Sequence, residues 1–419
     1  MRLLPILLIV VIVTKTAAGL GTTGLSSGTS TSLPNSTQNA FAAWMNPAAL
    51  ALNNATIIAW SLNAQASVLN SLSAIQSEQN PGIGNYDFPD DQQAYWQAGL
   101  TQPFRSSLIS DDQKWAWGLT VSGPWNKARQ LSSGPNTLFI PIRQRACDNQ
   151  FRSTLGLGVE LVPDSLSIGV ALSAHLHTAG NARASLTPNR PNAEVAVDVG
   201  WTSALTLGGV YQRGPHQLGF SYHQAAAPKF IQDITGSIEV GGATTINQPM
   251  TLSSTLYYEP HRVSLDYRYH FANSFYLLTG ISWETWGGYE PPSLRVVTKN
   301  ADGSTITSEV PVFETENTLN PLIGISYQPQ APFNAHLAYQ FKPTPLVDQG
   351  NTNLLDASTH IFAVDVGYQL SDPIRLSASG QIQWVPTRHF SRPTGQVGSP
   401  GYDYAAIAYS YGLQLEAEL

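Results

Sequence analysis

The chain has 419 residues, only 12% of them charged, and its 21 basic against 28 acidic side chains give a formal net charge of −7. A mildly acidic chain has no electrostatic footprint for nucleic acid, and its charged fraction is about half that of an average soluble domain. Cys147 is the only cysteine, which excludes an intramolecular disulfide.

The first residues read as an export signal. Arg2 precedes an apolar run over 3–13, then Thr14, Lys15, Thr16, Ala17, Ala18 and Gly19. The run is too short to span a bilayer as a helix and is followed by small residues, so residues 1–18 are expected to be a cleaved secretory signal. Losing Arg2 and Lys15 leaves 19 basic against 28 acidic residues and a charge of −9. Residues 19–54 begin Gly/Ser/Thr-rich and then turn Ala-dense, with Phe41, Trp44, Met45, Asn46 and Pro47 in a stretch that shows no alternation. This predicts a short helical segment ahead of the first strand.

From residue 55 onward the pattern has period two. Strands are expected at 55–66, 93–103, 113–123, 151–162, 165–178, 201–212, 215–224, 250–271, 274–286, 317–328, 333–342, 357–370, 373–385 and 403–419. The last of them is the clearest. Ile407, Tyr409, Tyr411, Leu413 and Leu415 fall on one parity, with Ser410, Gly412, Gln414 and Glu416 on the other. A soluble sandwich shows the same alternation. The connections separate the two folds: tight ones such as Pro163-Asp164, Arg213-Gly214 and Ser371-Asp372 alternate with long ones at 67–92, 124–150, 179–200, 225–249, 287–316, 343–356 and 386–402. Outside the leader no apolar stretch approaches ~18 residues, so no transmembrane helix is expected. These features predict an all-β fold, a transmembrane antiparallel β-barrel of about 14 strands, with the 19–54 segment as a short helical plug in its lumen and residues 55–419 as the wall. In 250–271 the apolar parity is even at Leu252, Leu256 and Tyr258 but odd at Val263 and Leu265, switching at Glu259-Pro260. One long bulged strand is expected there, because two strands would make the count odd.

Several stretches resemble the FadL-type outer-membrane transporter family, which takes up long-chain fatty acids and, in other members, aromatic hydrocarbons. They are Leu322-Ile323-Gly324-Ile325-Ser326-Tyr327, the run 333–341, Lys342-Pro343-Thr344-Pro345-Leu346-Val347, Leu355-Asp356 with His360, and Val366-Gly367-Tyr368. Asn46-Pro47-Ala48 is similar to that family's plug motif, Trp283-Glu284-Thr285-Trp286 to an aromatic strand end, and Ser122-Gly123-Pro124-Trp125 to the end of its third strand. The resemblance implies a fourteen-strand barrel, an N-terminal hatch, passage of a hydrophobic molecule from an outer groove through the lumen, and no cofactor. It also implies residence in the outer membrane of a Gram-negative bacterium, with membrane lipid around the wall. A monomer is expected.

Strand parity supplies a lumen list. It turns inward His175 and His177, Asp266, Arg268 and His270, His336 and Lys342, and Arg375. A fatty acid needs an apolar slot and a partner for its carboxylate, and Lys342, Arg268 and Arg375, with His336 behind them, fit that role. The bland alternative pairs these cations with Asp266, Glu160, Glu284 and Asp365 across a wet lumen. His175-Leu176-His177 offers two metal-type ligands without a third, so no metal is expected. Gly123-Pro124 removes a ladder donor and either opens a lateral exit or merely ends a strand. Phe41, Trp44 and Met45 line a pocket or seal the lumen. Two other classes stand beside a passive transporter: a barrel lipase, for which no Gly-x-Ser-x-Gly motif is present, and an adhesive barrel acting through its loops, which would need no plug.

Overall fold

The computed structural model describes residues 39–69, 91–108, 113–125, 151–186, 192–240, 244–255, 258–289, 295–299, 303–307, 314–329, 332–347, 357–391 and 401–419. Residues 1–18, the expected signal, and 19–38, the start of the expected plug, lie outside them. The described strands are β1 (Ile57–Leu69), β2 (Asp91–Ser106), β3 (Gln113–Pro124), β4 (Arg152–Val162), β5 (Leu166–Leu186), β6 (Asn192–Arg213), β7 (His216–His223), β8 (Lys229–Val240) and β9 (Thr244–Thr255). They continue with β10 (His261–Ala272), β11 (Phe275–Thr285), β12 (Arg295–Lys299), β13 (Thr305–Thr307), β14 (Thr318–Tyr327), β15 (Phe333–Lys342), β16 (Thr359–Ser371), β17 (Ile374–Ser391) and β18 (Gly401–Glu418).

Fourteen of these make a closed antiparallel wall: β1 to β7, β10, β11 and β14 to β18, with β18 returning to pair β1 from Ile57↔Glu418 to Leu69↔Ala406. The alternation that marks each strand is the wall's inside and outside. On β10, Leu265 is 51% exposed on the outer face while its neighbour Asp266 is 5% exposed in the lumen. Outward leucines, isoleucines and valines form an apolar belt that only a bilayer would cover. Aromatic side chains edge the belt, with Tyr211, Phe275, Phe333 and Tyr368 near the short turns and Trp201, Trp283 and Trp384 toward the long connections. Two of the short turns need left-handed backbone, at Asp164 (φ 53°) and Gly214 (φ 57°). In the first, the Glu160 carboxylate accepts the Asp164 N–H at 2.7 Å.

The 250–271 segment is not one bulged strand. Thr244–Thr255 is β9 and His261–Ala272 is β10, and they belong to different parts of the molecule. The parity switch at Glu259-Pro260 marks a chain leaving one sheet for another. The count stays even because β9 pairs with β8 outside the wall, in a segment that had read as loop. β12 and β13 likewise occupy the 287–316 connection, and the upper parts of β5 and β6 fill 179–200. Together these strands form an outer sheet in the order β6-β5-β8-β9-β12-β13, joined to the wall by a parallel pairing of β5 with β8 from Ala179↔Ile231 to Leu186↔Ile238.

That parallel pairing forces a crossing. β7 lies beyond β6, whereas β8 lies on the other edge of β5, above β4. The chain must therefore pass across the β5–β6 hairpin and back again through Tyr258, Glu259 and Pro260. The two passes are tied by the Ala226↔Glu259 bridge, whose reciprocal hydrogen bonds measure 3.0 and 2.8 Å. Ala226 and Tyr258 are buried, which puts this strap on the lumen side.

Candidate functional site: a plug in a glycine trench and the lumen around it

The plug comprises the short helix α1 (Ala42–Met45) and a 3-10 helix, Pro47–Leu52. Asn46 ends the first and caps the second, its side-chain oxygen accepting the Ala48 N–H at 3.1 Å with Pro47 at the first helical position. Ala42, Ala43, Ala48, Ala49 and Leu50 form one buried cluster with Ala116 and Val210 of the wall. Small side chains let the plug backbone approach the wall, and the wall meets it with glycine. A Cβ placed on Gly99, Gly118, Gly156, Gly158, Gly169 or Gly208 would come within about 3 Å of plug atoms. These six positions lie on the lumen faces of five consecutive strands, β2 to β6, and form a trench that the plug fills. Asn46 also fastens the plug laterally, its Nδ2 donating to the main-chain oxygens of Gly209 (3.3 Å) and Phe220 (3.0 Å) across the β6–β7 ladder.

The quoted plug residues divide by role. Asn46 and Pro47 set the plug's turn and its attachment. Phe41 packs into a buried cluster with Ala40 and Ala59, and Met45 is buried beside Asn39. Trp44 alone among them is only half-buried. Its ring lies 4.2 Å from the Arg152 guanidinium and 6.3 Å from the His223 ring.

Two ion pairs, the first half-buried and the second buried, stand on the long-connection side of the plug. Arg152 of β4 meets Glu259 of the strap at 3.4 Å, with side-chain exposures of 10% and 26%. Lys342, the last residue of β15, meets Glu284 of β11 at 3.7 Å, with exposures of 9% and 5%. His175 is buried on β5, register partner of Arg152; the side chain of His177 lies outside the described residues. Farther out, Tyr258 of the strap, Trp286 and Tyr289 pack with ring centroids 5.7–5.9 Å apart. Trp283 and Trp286 of the quoted aromatic motif thus part company, the first facing lipid and the second fully buried in this cluster.

Arg268, His336 and Arg375 gather elsewhere, around a polar cavity of about 1040 Å³ at the short-turn end, beneath Asn39 and Leu52 of the plug. Arg268 donates to Gln328 at 2.7 Å and lies 3.8 Å over the Tyr276 ring, while Arg375 donates to Gln369 at 3.1 Å. Between this cavity and the Lys342–Glu284 pair the inner wall carries an apolar strip of Leu278, Ala338, Ile361 and Ala363, all buried. Gly123 is buried as well: β3 stays paired with β2 as far as Tyr95↔Pro124, but its ladder with β4 ends at Ser122↔Arg152. A Cβ on Gly123 would come 2.7 Å from the Phe151 ring, which covers that corner. Among the described residues, no three His, Cys, Asp or Glu side chains are grouped to hold a metal.

Sequence reading missed Arg152 and Glu259. Arg152 was within reach, since outward Leu155 and Leu157 set the parity that turns residue 152 inward. Glu259 was not, because the parity fault at Glu259-Pro260 marks a break in the strand but not the long-range crossing behind it.

No protein-family model matches the chain and no curated protein matches it in sequence. Solved structures do match. A Pseudomonas aeruginosa FadL homologue aligns over 93% of this chain and 96% of its own, with a TM-score of 0.59 at 14% identity. The CymD monoaromatic hydrocarbon channel aligns over 94% and 95% with a TM-score of 0.53 at 12% identity. The toluene transporter TodX of Pseudomonas putida aligns over 91% and 94% with a TM-score of 0.52 at 13% identity. The fold of this chain is that of the FadL-type outer-membrane channels: a fourteen-strand barrel closed around a plug from its own N-terminal segment.

Proposed function

We propose that the protein lies in the outer membrane of a Gram-negative bacterium, exported by a signal at residues 1–18, and as a monomer admits hydrophobic small molecules, fatty acids or hydrocarbons, passively past its plug. The observation that carries this reading is the seating of the plug. A segment held by glycine close approach and one amidated side chain, with few large side chains keyed into the wall, can be displaced without unfolding the barrel. The likeness to a FadL homologue and to channels for toluene and monoaromatic hydrocarbons supports the same reading. On this proposal the ligand enters beside Tyr258, Trp286 and Tyr289, meets Trp44, and lies along the strip of Leu278, Ala338, Ile361 and Ala363. It leaves between β3 and β4 at Gly123-Pro124, where the ladder ends and the Phe151 ring acts as the door.

The test is saturable binding and uptake of radiolabelled hydrophobic probes by purified protein in proteoliposomes, with the Asn46→Ala variant alongside. Intact, heat-modifiable barrels that neither bind nor pass any such probe would sink the reading.

A further inference from the structure

One cation above the plug has no carboxylate to answer it. Arg262 of β10 points into the lumen, on the parity of the buried Ser264 and Asp266, and is itself half-buried. Its Nε is buried without a hydrogen-bond partner, and no ion pair reaches its guanidinium among the described residues. Glu284 is its register partner on β11, but that carboxylate stands 3.7 Å from Lys342. The strap's Glu259 is engaged with Arg152 at 3.4 Å. Arg152, Arg262 and Lys342 thus face Glu259 and Glu284, an excess of one positive charge. A guanidinium left over in this way is a receptor for an anion, and its planar fork matches a carboxylate.

The surroundings of Arg262 select the kind of carboxylate. On its other side the register partner is His223 of β7, whose ring lies 6.3 Å from that of Trp44. Flat ring surface is therefore close at hand. Long aliphatic surface is not. Down the lumen from Arg262 the facing pairs of β10 and β11 are Ser264↔Ser282 and Asp266↔Gly280, and the first large apolar side chain is Leu278, opposite Arg268. The six steps from Arg262 to Arg268 are about 20 Å of strand. Above, Tyr258, Trp286 and Tyr289 are already packed on one another. A fatty acid anchored at Arg262 would lay its tail on hydroxyls and a carboxyl before it reached the apolar strip, which is unfavourable. A short aromatic body needs only the ring surface of Trp44.

We propose that Arg262, with Trp44 beside it, is a binding site for aromatic monocarboxylates. The proposal rests on the uptake reading and adds a class of anionic aromatic solute to it. The bound anion neutralises the excess charge, and its ring lies against a residue of the plug.

The experiment is equilibrium dialysis of radiolabelled probes against full-length purified protein at pH 8, where carboxylic acids are ionised. The probes are para-butylbenzoate, its methyl ester and decanoate, and heat-modifiability on gels checks that each variant is a closed barrel. The unaltered protein is expected to hold para-butylbenzoate about tenfold more tightly, or better, than either the ester or decanoate. Arg262→Gln should bring the affinity of the acid down to that of the ester, and Arg262→Lys, which keeps the charge without the fork, should retain part of the advantage. Trp44→Leu should narrow the gap between para-butylbenzoate and decanoate. An acid held no more tightly than its ester by the unaltered protein, or an advantage that survives in Arg262→Gln, overturns the site and leaves uptake standing. Decanoate held as tightly as para-butylbenzoate overturns the aromatic class. Failure of all three probes to bind overturns the uptake reading and the site together.

Discussion

Gly169→Ala is the sharpest test of how the plug is held. The added methyl carbon would lie 2.6 Å from the Pro47 carbonyl oxygen, and closer still to the main chain of Pro47 and Ala48, where ordinary contact begins at 3.4 Å. The plug must therefore retreat by at least about 0.8 Å, the difference between those distances, and farther to clear the closer main-chain atoms. Main-chain atoms of a proline-fixed turn cannot swing aside as a side chain would. The retreat falls along the same face as the Asn46 bonds of 3.0 and 3.3 Å, and stretches them beyond useful length. Overpacking at ~1–3 kcal/mol and two weakened hydrogen bonds at ~0.5–1 kcal/mol each sum to roughly 2–5 kcal/mol against the seated plug. At ~1.4 kcal/mol per decade the seated-to-displaced ratio falls by about 30- to several-thousand-fold. Single-channel recording in planar bilayers reads this as frequent opening, with heat-modifiability on gels checking that the barrel is intact. Gly209→Ala is the control, since its added carbon meets nothing nearer than Phe220 Cβ at 3.9 Å. Equal conductance in Gly169→Ala, Gly209→Ala and the unaltered protein would refute the trench as the seat.

Asn46→Ala removes the cap on Ala48 and both lateral bonds, so plug seating should weaken by about 2–3 kcal/mol, measured as faster protease cleavage within residues 39–52. Lys342→Met leaves Glu284 buried beside no lysine, and urea unfolding in detergent should report a loss of about 3–5 kcal/mol; in the pair Lys342→Met/Glu284→Gln most of that loss should vanish. Leu265→Arg places a charge on the middle of the lipid face of β10, where it should cost about 2–4 kcal/mol, seen as a lower yield of heat-modifiable barrel in folding assays with lipid vesicles.

The wall was legible because lipid outside and polar lumen inside impose opposite demands on alternate residues, and the last strand, with Tyr411 and Leu413 facing out and Gly412 and Gln414 facing in, is the plainest case. The outer sheet has no lipid to face, so β8, β9 and β12 carry threonine, asparagine and glycine without alternation, and pattern alone reads them as loop. The strap showed itself only as a parity fault at Glu259-Pro260, a correct observation whose cause is a long-range crossing. Among the site residues, parity placed Lys342, Arg268, His336 and Arg375 inside. It could not say that Lys342 meets Glu284 across 58 positions, nor that the other three belong to the opposite end of the lumen. The trench was equally hidden, because a glycine's partner is a backbone far away in sequence.

The trench has a bearing on how the molecule is assembled. Its glycines come from β2 to β6, strands contiguous in sequence and close behind the plug, whereas ring closure waits for β18 to find β1. Plug and trench are far apart in sequence, but their contacts span less chain than the β1–β18 ladder, so they can form while the sheet is still an open arc, and the closure-dependent ladder is the longest-range, slow pairing. The plug would then act as a mandrel: it sets the curvature of the first third of the wall and shields part of its polar inner face before the last edge is sealed.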